Sequence, residues 1–208
     1  MKRKRSNHES RLARRAPSGA AVFREEVTLA LRRALFEEWA EYGYAAISLE
    51  RVASRAGVGK AALYRRWPSK LALASDALKT VGVDITPVPD TGSLGGDVRA
   101  FLGSLIRVLR HPIVRRVLPD LHAECARGGE LAPAQEDLAK ARRKLASTVI
   151  DRAVERGELS PDVDRAICLD HLAASLYWRL LVVRGSCSRA RLDRLAAGIT
   201  AALRASVI

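Results

Sequence analysis

Within GKAALYRRW, residues 59–67, four side chains with recognition chemistry fall together. At ~100° per residue, Lys60, Ala61, Tyr64 and Arg65 occupy one arc of about 140° on a helix, while Leu63 and Trp67 share a different face with Gly59 and pack inward. That arc is small, basic and aromatic, which suits a helix entering a major groove. Lys60 and Arg65 can reach phosphates or guanine edges. Ala61 permits close approach and a thymine methyl contact, and the Tyr64 hydroxyl can bond a phosphate oxygen.

The elements that must position this arc run from Ser48 to Lys70, SLERVASRAGVGKAALYRRWPSK. Ser48 is an N-cap type, and Leu49, Val52, Ala53 and Ala56 recur at helical spacing after it. Gly57 follows the last apolar position, where a left-handed residue ends a helix at little cost. A second helix starts near Gly59 and is stopped by Pro68. The outline is a helix-turn-helix. Ser69 can cap a further helix carrying Lys70 in its first turn. A cation there opposes the helix dipole, so a phosphate, rather than stability, is the expected reason for Lys70.

The longer string GYAAISLERVASRAGVGKAALYRRWPSK closely resembles the N-terminal domain of TetR-type transcriptional regulators. The features that carry the likeness are Gly43-Tyr44, Ser48, Ala-Gly-Val at 56–58, Leu63-Tyr64, an aromatic at 67 and Lys70. The resemblance implies phosphate contacts from Ser48, Tyr64 and Lys70, and a groove-facing set of Lys60, Ala61 and Arg65. Two departures stand out. Arg66-Trp67 replaces the frequent His-Phe, leaving Arg66 able to meet a phosphate, and Gly59 brings no side chain where Ser or Thr is common.

Charge is distributed to match. The 208 residues carry a formal net charge of +13, of which residues 1–80 hold 17 Lys and Arg against 8 Asp and Glu. Basic charge concentrated around the helix-turn-helix points to a polyanion, with nucleic acid favoured over an anionic membrane. Aromatic content of 5% with abundant Ala, Leu and Arg favours helices, so the fold expected is all-α. No apolar run approaches ~18 residues and no hydrophobic segment follows the basic N-terminus, which predicts a cytoplasmic, nucleoid-associated protein. Cys125, Cys168 and Cys187 show no CxxC spacing and read as reduced thiols, the first two buried in helices and the third in a loop.

Along the chain, residues 1–20 read as a disordered basic arm. Residues 21–82 form the helix-turn-helix unit and its linking helix. Its first helix turns Leu29, Leu35, Phe36, Trp39 and Ala40 inward and Glu37, Glu38 and Glu41 outward; the fourth turns in Leu71, Ala74, Leu78 and Val81. Residues 83–96, rich in Gly and Pro, read as a linker. Residues 97–208 are expected to be helical, to bind an effector and to dimerise. Pro112 is expected to end one helix, and Pro119 to kink or split the next.

Residues 163–183 carry two apolar stripes: Ile167, His171, Ala174, Trp178 and Leu181, and Leu169, Leu172, Leu176, Leu180 and Val183. Such a helix needs cover on both sides. With a last helix presenting Leu192, Leu195, Ile199 and Leu203 beside small residues, the expectation is a twofold four-helix bundle between two chains, with Leu176, Leu180, Leu192, Leu195, Ile199 and Leu203 at the interface.

No GxSxG, HExxH, Walker or dinucleotide loop occurs, and the four histidines share no ligand spacing with a carboxylate or cysteine. No catalytic residue, metal or cofactor is therefore expected. The resemblance to TetR-type regulators implies a small molecule bound in the C-terminal half, which shifts the fourth helix and spreads two reading heads. Phe101, Leu105, Leu121, His122, Cys125, His171 and Trp178 are its candidate lining, with Tyr177 and Arg179 at either pocket or interface. The function implied is an operator-binding homodimeric regulator, usually a repressor. The alternatives are a helical ligand-binding or scaffold protein, or a DNA-organising protein without effector control.

Overall fold

Ser48, Ser93, Asp164 and Ser188 each start a helix by accepting hydrogen bonds from the first turn: from Arg51 N at 3.3 Å, Gly96 N at 3.2 Å, Ala166 N at 2.9 Å and Arg191 N at 3.3 Å. Each satisfies a backbone donor that the helix cannot pair internally. The structure, a computed structural model, describes residues 19–84 and 88–207, with side chains described over 25–80 and 88–207. The expectations for most of the basic arm, for Val81 and for residues 85–87 of the linker lie outside these.

The elements are α1 (Gly19–Tyr42), α2 (Leu49–Arg55), α3 (Lys60–Tyr64), α4 (Lys70–Asp84), α5 (Leu94–Arg110), α6 (Pro112–Ala126), α7 (Ala132–Glu155), α8 (Arg165–Tyr177, continued by a π-helical turn at Trp178–Val182) and α9 (Arg189–Ala205). Among the described residues no strand forms; Val163 and Val207 make one isolated antiparallel bridge. The fold is all-α, as the composition predicts.

Two buried clusters organise it. The first gathers Leu31, Leu35 and Trp39 of α1, Val52 of α2, Leu63 and Trp67 around α3, and Leu73 and Leu78 of α4, and continues into Leu121 of α6 and Leu138 of α7. The second joins α5, the end of α7, α8 and α9 through Leu102, Ile150, Leu172, Leu176 and Leu203. Leu118 of α6 packs against both. The helix-turn-helix unit therefore does not close its core alone.

Several expectations need correction. Leu29 is 56% exposed, whereas Glu38, expected outside, is fully buried. Charge pairing outweighs helical pattern there: Glu38 accepts from Arg51 Nε at 2.5 Å and from Arg55 Nη2 at 3.5 Å, which ties α2 to α1. Pro112 opens α6 as well as following α5, the usual first-turn use of proline. Pro119 lies inside α6 without splitting it. Pro119 and Arg115, whose carbonyl loses its partner, are both outside the buried clusters, so water can satisfy the lost bond.

Candidate nucleic-acid interface

Gly57, at φ +66°, gives the chain its turn between α2 and α3, and Val58 N donates to Ala53 O at 2.9 Å across it. A side chain there would meet the left-handed penalty. Gly59 starts α3 with an extended backbone and no side-chain cap. Leu63 is fully buried and Trp67 8% exposed, so α3 is fixed by these two anchors. The opposite outcome holds for Lys60, Ala61, Tyr64 and Arg65, which are all exposed. Gly59 is exposed too, rather than sharing the packed face. Lys60 and Arg65 make no hydrogen bond or ion pair among the described residues, so both cations are available to an external anion.

Glu50 is not among the expected site residues, yet it sits at the centre of the polar surface. It accepts from Tyr64 Oη at 3.0 Å and from Ser48 Oγ at 3.1 Å. Its own backbone N–H, then Tyr64 and Ser48, hold its carboxyl below the ordinary range, and the same bond raises the Tyr64 phenol. Two hydroxyls expected to meet phosphates thus have an internal acceptor. The legible signal is Ser48-x-Glu50 at a helix start, an acidic residue in the first turn.

Lys70 departs from its expected rationale. Its ammonium donates to Tyr44 O at 3.1 Å and Ala45 O at 3.3 Å, and lies 4.3 Å from the Tyr44 ring centroid. It therefore fastens the turn after α1, a stabilising role that its place at the start of α4 conceals. One of its three N–H groups remains for a phosphate. Ser69 caps α4, accepting from Ala72 N at 3.1 Å. Arg66 donates to Thr28 Oγ1 of α1, and its guanidinium lies 5.8 Å from the Trp67 ring centroid.

A second set of polar contacts joins this surface to α6. The Asp120 carboxylate accepts from Trp39 Nε1 at 2.7 Å and from Tyr44 N at 2.8 Å, and Tyr44 Oη donates to Glu130 at 2.7 Å. Burial, then Glu130, raises the Tyr44 phenol far above its ordinary value. Tyr44 thus touches Lys70 on one side and α6 with the α6–α7 turn on the other.

The expected effector lining is divided between the two clusters. Phe101 and Leu105 pack against the second core, whereas Leu121 and Cys125 belong to the first. His122 Nδ1 is 2.6 Å from Tyr177 Oη, which pairs α6 with α8. Burial, then the Arg142 charge, lowers the His122 imidazole; burial raises Tyr177 and Cys125. His171 and Trp178, the latter 61% exposed, lie outside on α8. The residues expected at the interface lie as follows. Leu176, Leu180, Ile199 and Leu203 are buried in the chain's own core, and Leu192 and Leu195 are half-buried against it. The face left uncovered carries Ile167, His171, Ala174 and Trp178 on α8 with Ala197, Gly198 and Ala201 on α9. Both stripes are visible as apolar in the sequence, but which one the chain covers depends on how α8 rotates against α5 and α9.

Among the described residues, no group of three or more His, Cys, Asp and Glu is placed to hold a metal, and no helix is long and apolar enough to cross a membrane.

Comparison with known proteins gives a consistent result. Residues 31–77 match the model described as bacterial regulatory proteins, tetR family, and residues 88–199 match the tetracyclin repressor-like C-terminal domain. The HTH-type transcriptional regulator AqdR of Rhodococcus erythropolis is 31% identical over 72% of this chain and 70% of its own length. The DNA-binding transcriptional repressor TetR of Mycobacteroides abscessus is 34% identical over 66% of this chain and 73% of its own. The crystal structure of the TetR family transcription regulator SCO0332 superposes with a TM-score of 0.67 at 33% identity, covering 85% of this chain and 97% of that one.

Proposed function

This chain belongs to the TetR family of helix-turn-helix transcriptional regulators, and from that premise we propose that two copies grip a palindromic operator through α3 and release it when a small molecule binds within residues 97–208. It is a transcriptional regulator and not an enzyme. In this reading the basic arm of residues 1–20 precedes a reading head of 21–82, residues 83–96 link the halves, and 97–208 pair the chains. It works on cytoplasmic DNA, as a repressor; the relative named a DNA-binding transcriptional repressor supports that direction.

One observation carries the reading: exposed Lys60 and Arg65, with no hydrogen bond or ion pair among the described residues, on a short helix anchored from behind by Leu63 and Trp67. These cations face the groove beside Ala61. Ser48, Tyr64, Arg66 and Lys70 meet phosphates, the first two after leaving Glu50. Pairing of two chains through the uncovered α8–α9 face is supported by the 46% and 61% exposure of Ile167 and Trp178, which a second copy would cover. A twofold dimer then holds two heads one helical turn apart, about 34–36 Å.

The test is a gel shift across a salt series, with a footprint and genome-wide mapping of bound DNA. A palindromic footprint and binding that falls steeply with salt support the regulator. Equal binding to every duplex would leave a DNA organiser, and no binding at low salt a scaffold or ligand carrier.

A further inference from the structure

Where α5 ends and α6 begins, the end of α8 and the loop after it close against the turn at His111-Pro112. They leave two cavities of about 370 Å³ each, sharing Arg110, Arg115, Leu180 and Arg184 in their walls. Arg116 lines one of them, so four arginines line an adjoining pair of half-open hollows, with apolar Leu180 and Leu181 in the wall. Among the described residues, no Asp or Glu lines either cavity.

Many of the other arginines pair with carboxylates, as in Arg32–Asp76 at 2.9 Å, Arg99–Asp193 at 2.6 Å and Arg156–Asp97 at 3.0 Å. Here Arg110 reaches the Cys187 carbonyl at 2.9 Å, and Arg115, Arg116 and Arg184 make no side-chain hydrogen bond or ion pair among the described residues. All four arginines are exposed, and with no acid in the lining they can offer their guanidiniums to an anion from solution. The backbone also departs from the ordinary. Trp178–Val182 forms a π-helical turn, a form frequent at functional sites, and Arg184 sits at φ +54°, the one left-handed non-glycine residue among those described. Unpaired guanidinium forks beside leucines match an anion carrying an apolar body.

We infer that this cleft between α5, α6 and α8 binds a small amphipathic anion, a carboxylate or phosphate monoester with an apolar tail. The role of the site rests on the regulator reading above, because Arg115 and Asp120 lie on one helix. An anion that draws in the start of α6 acts on the carboxylate that holds Trp39 and Tyr44 at the reading head. The effector of this chain is then anionic, and it enters at the arginines rather than among Phe101, Leu105 and His122.

Isothermal titration of the full chain without DNA tests the site, using octyl phosphate and octanoate against octanol and octylamine. Both anions are expected to bind, with octanol and octylamine at least tenfold weaker. Arg184→Gly combined with Arg115→Ser should lose roughly tenfold or more in anion affinity, since each removes charge-assisted bonds. Glycine is at ease at positive φ, so Arg184→Gly should fold at least as well as the parent, and exposed Lys144→Ser outside the cleft should bind the anions unchanged. The inference is overturned if neither anion binds by about 5 mM, if octanol binds as well as octyl phosphate, or if the double variant keeps full anion affinity. A double variant that loses duplex affinity but keeps anion binding would assign the arginines to DNA instead. Because the titration contains no DNA, its outcome decides the cleft whether or not the chain binds operators.

Discussion

The indole N–H of Trp39 donates to the Asp120 carboxylate at 2.7 Å, joining residues 81 apart in the chain. Trp39 is 1% exposed and its ring lies 5.1 Å from that of Tyr44, whose backbone N–H reaches the same carboxylate. One acidic side chain on α6 therefore holds both aromatic residues that roof the helix-turn-helix. Asp120 thus ties α6 to α1 and to the turn after it.

Asp120→Ala leaves two buried donors without an acceptor and should lower stability by about 3 kcal/mol. Asp120→Asn retains one acceptor and should cost about half as much. Urea unfolding measures both. Equal stability of Asp120→Ala and the parent would show that the link carries no strength.

Glu50 competes with phosphate for Ser48 and Tyr64. Glu50→Gln removes the negative charge and leaves a single acceptor, which weakens that competition, so operator affinity should rise by about two- to fivefold. Tyr64→Phe and Lys70→Ala should weaken every duplex to a similar degree. A gel shift comparing matched and unrelated duplexes reads all three; a weaker Glu50→Gln complex contradicts the arrangement.

Lys60→Ala and Arg65→Ala address choice of sequence. Loss of a base contact should cost about 1–3 kcal/mol at the preferred base pair and relax selectivity there. Selection from random duplexes should return a changed consensus. An unchanged consensus with uniformly weaker binding would move these cations to the phosphates.

Trp178→Asp and Ala201→Asp place a charge on the uncovered α8–α9 face. Each should weaken the dimer by at least about a hundredfold while leaving the monomer folded. Sedimentation equilibrium with circular dichroism separates the two effects, and an undisturbed dimer would refer pairing to another surface.

Burial, with Arg142 adding to it, holds the His122 imidazole below its ordinary value, so the folded chain binds this proton less readily than the unfolded chain. Its contribution to stability is therefore present near neutral pH and lost as pH falls below about 6.5. The thermal midpoint should drop between about pH 7.5 and pH 5.5, and His122→Gln, which can still bond Tyr177, should flatten that slope. An equally steep slope in the variant would assign the effect to another group.

Local chemistry was legible in order along the chain. Capping serines, Gly57 and the apolar spacing of Leu63 and Trp67 establish α2, the turn and α3, and with them the exposure of Lys60 and Arg65; α3 itself ends at Tyr64, before Pro68 can stop it. These depend on neighbours a few residues away, and helical periodicity reports such neighbours directly. What only the tertiary structure decided are the contacts between distant segments. Glu38 reads as an outward acid, yet two arginines of α2 make its burial tolerable. Lys70 reads as a cation awaiting phosphate, yet carbonyls after α1 already hold it. On α8, Leu172 and Leu176 turned inward and Ile167 and Trp178 outward only when α5 and α9 packed against the helix. Asp120 and the four arginines around the α5–α6 turn carry no local pattern, because each acquires meaning from side chains that folding brings from elsewhere.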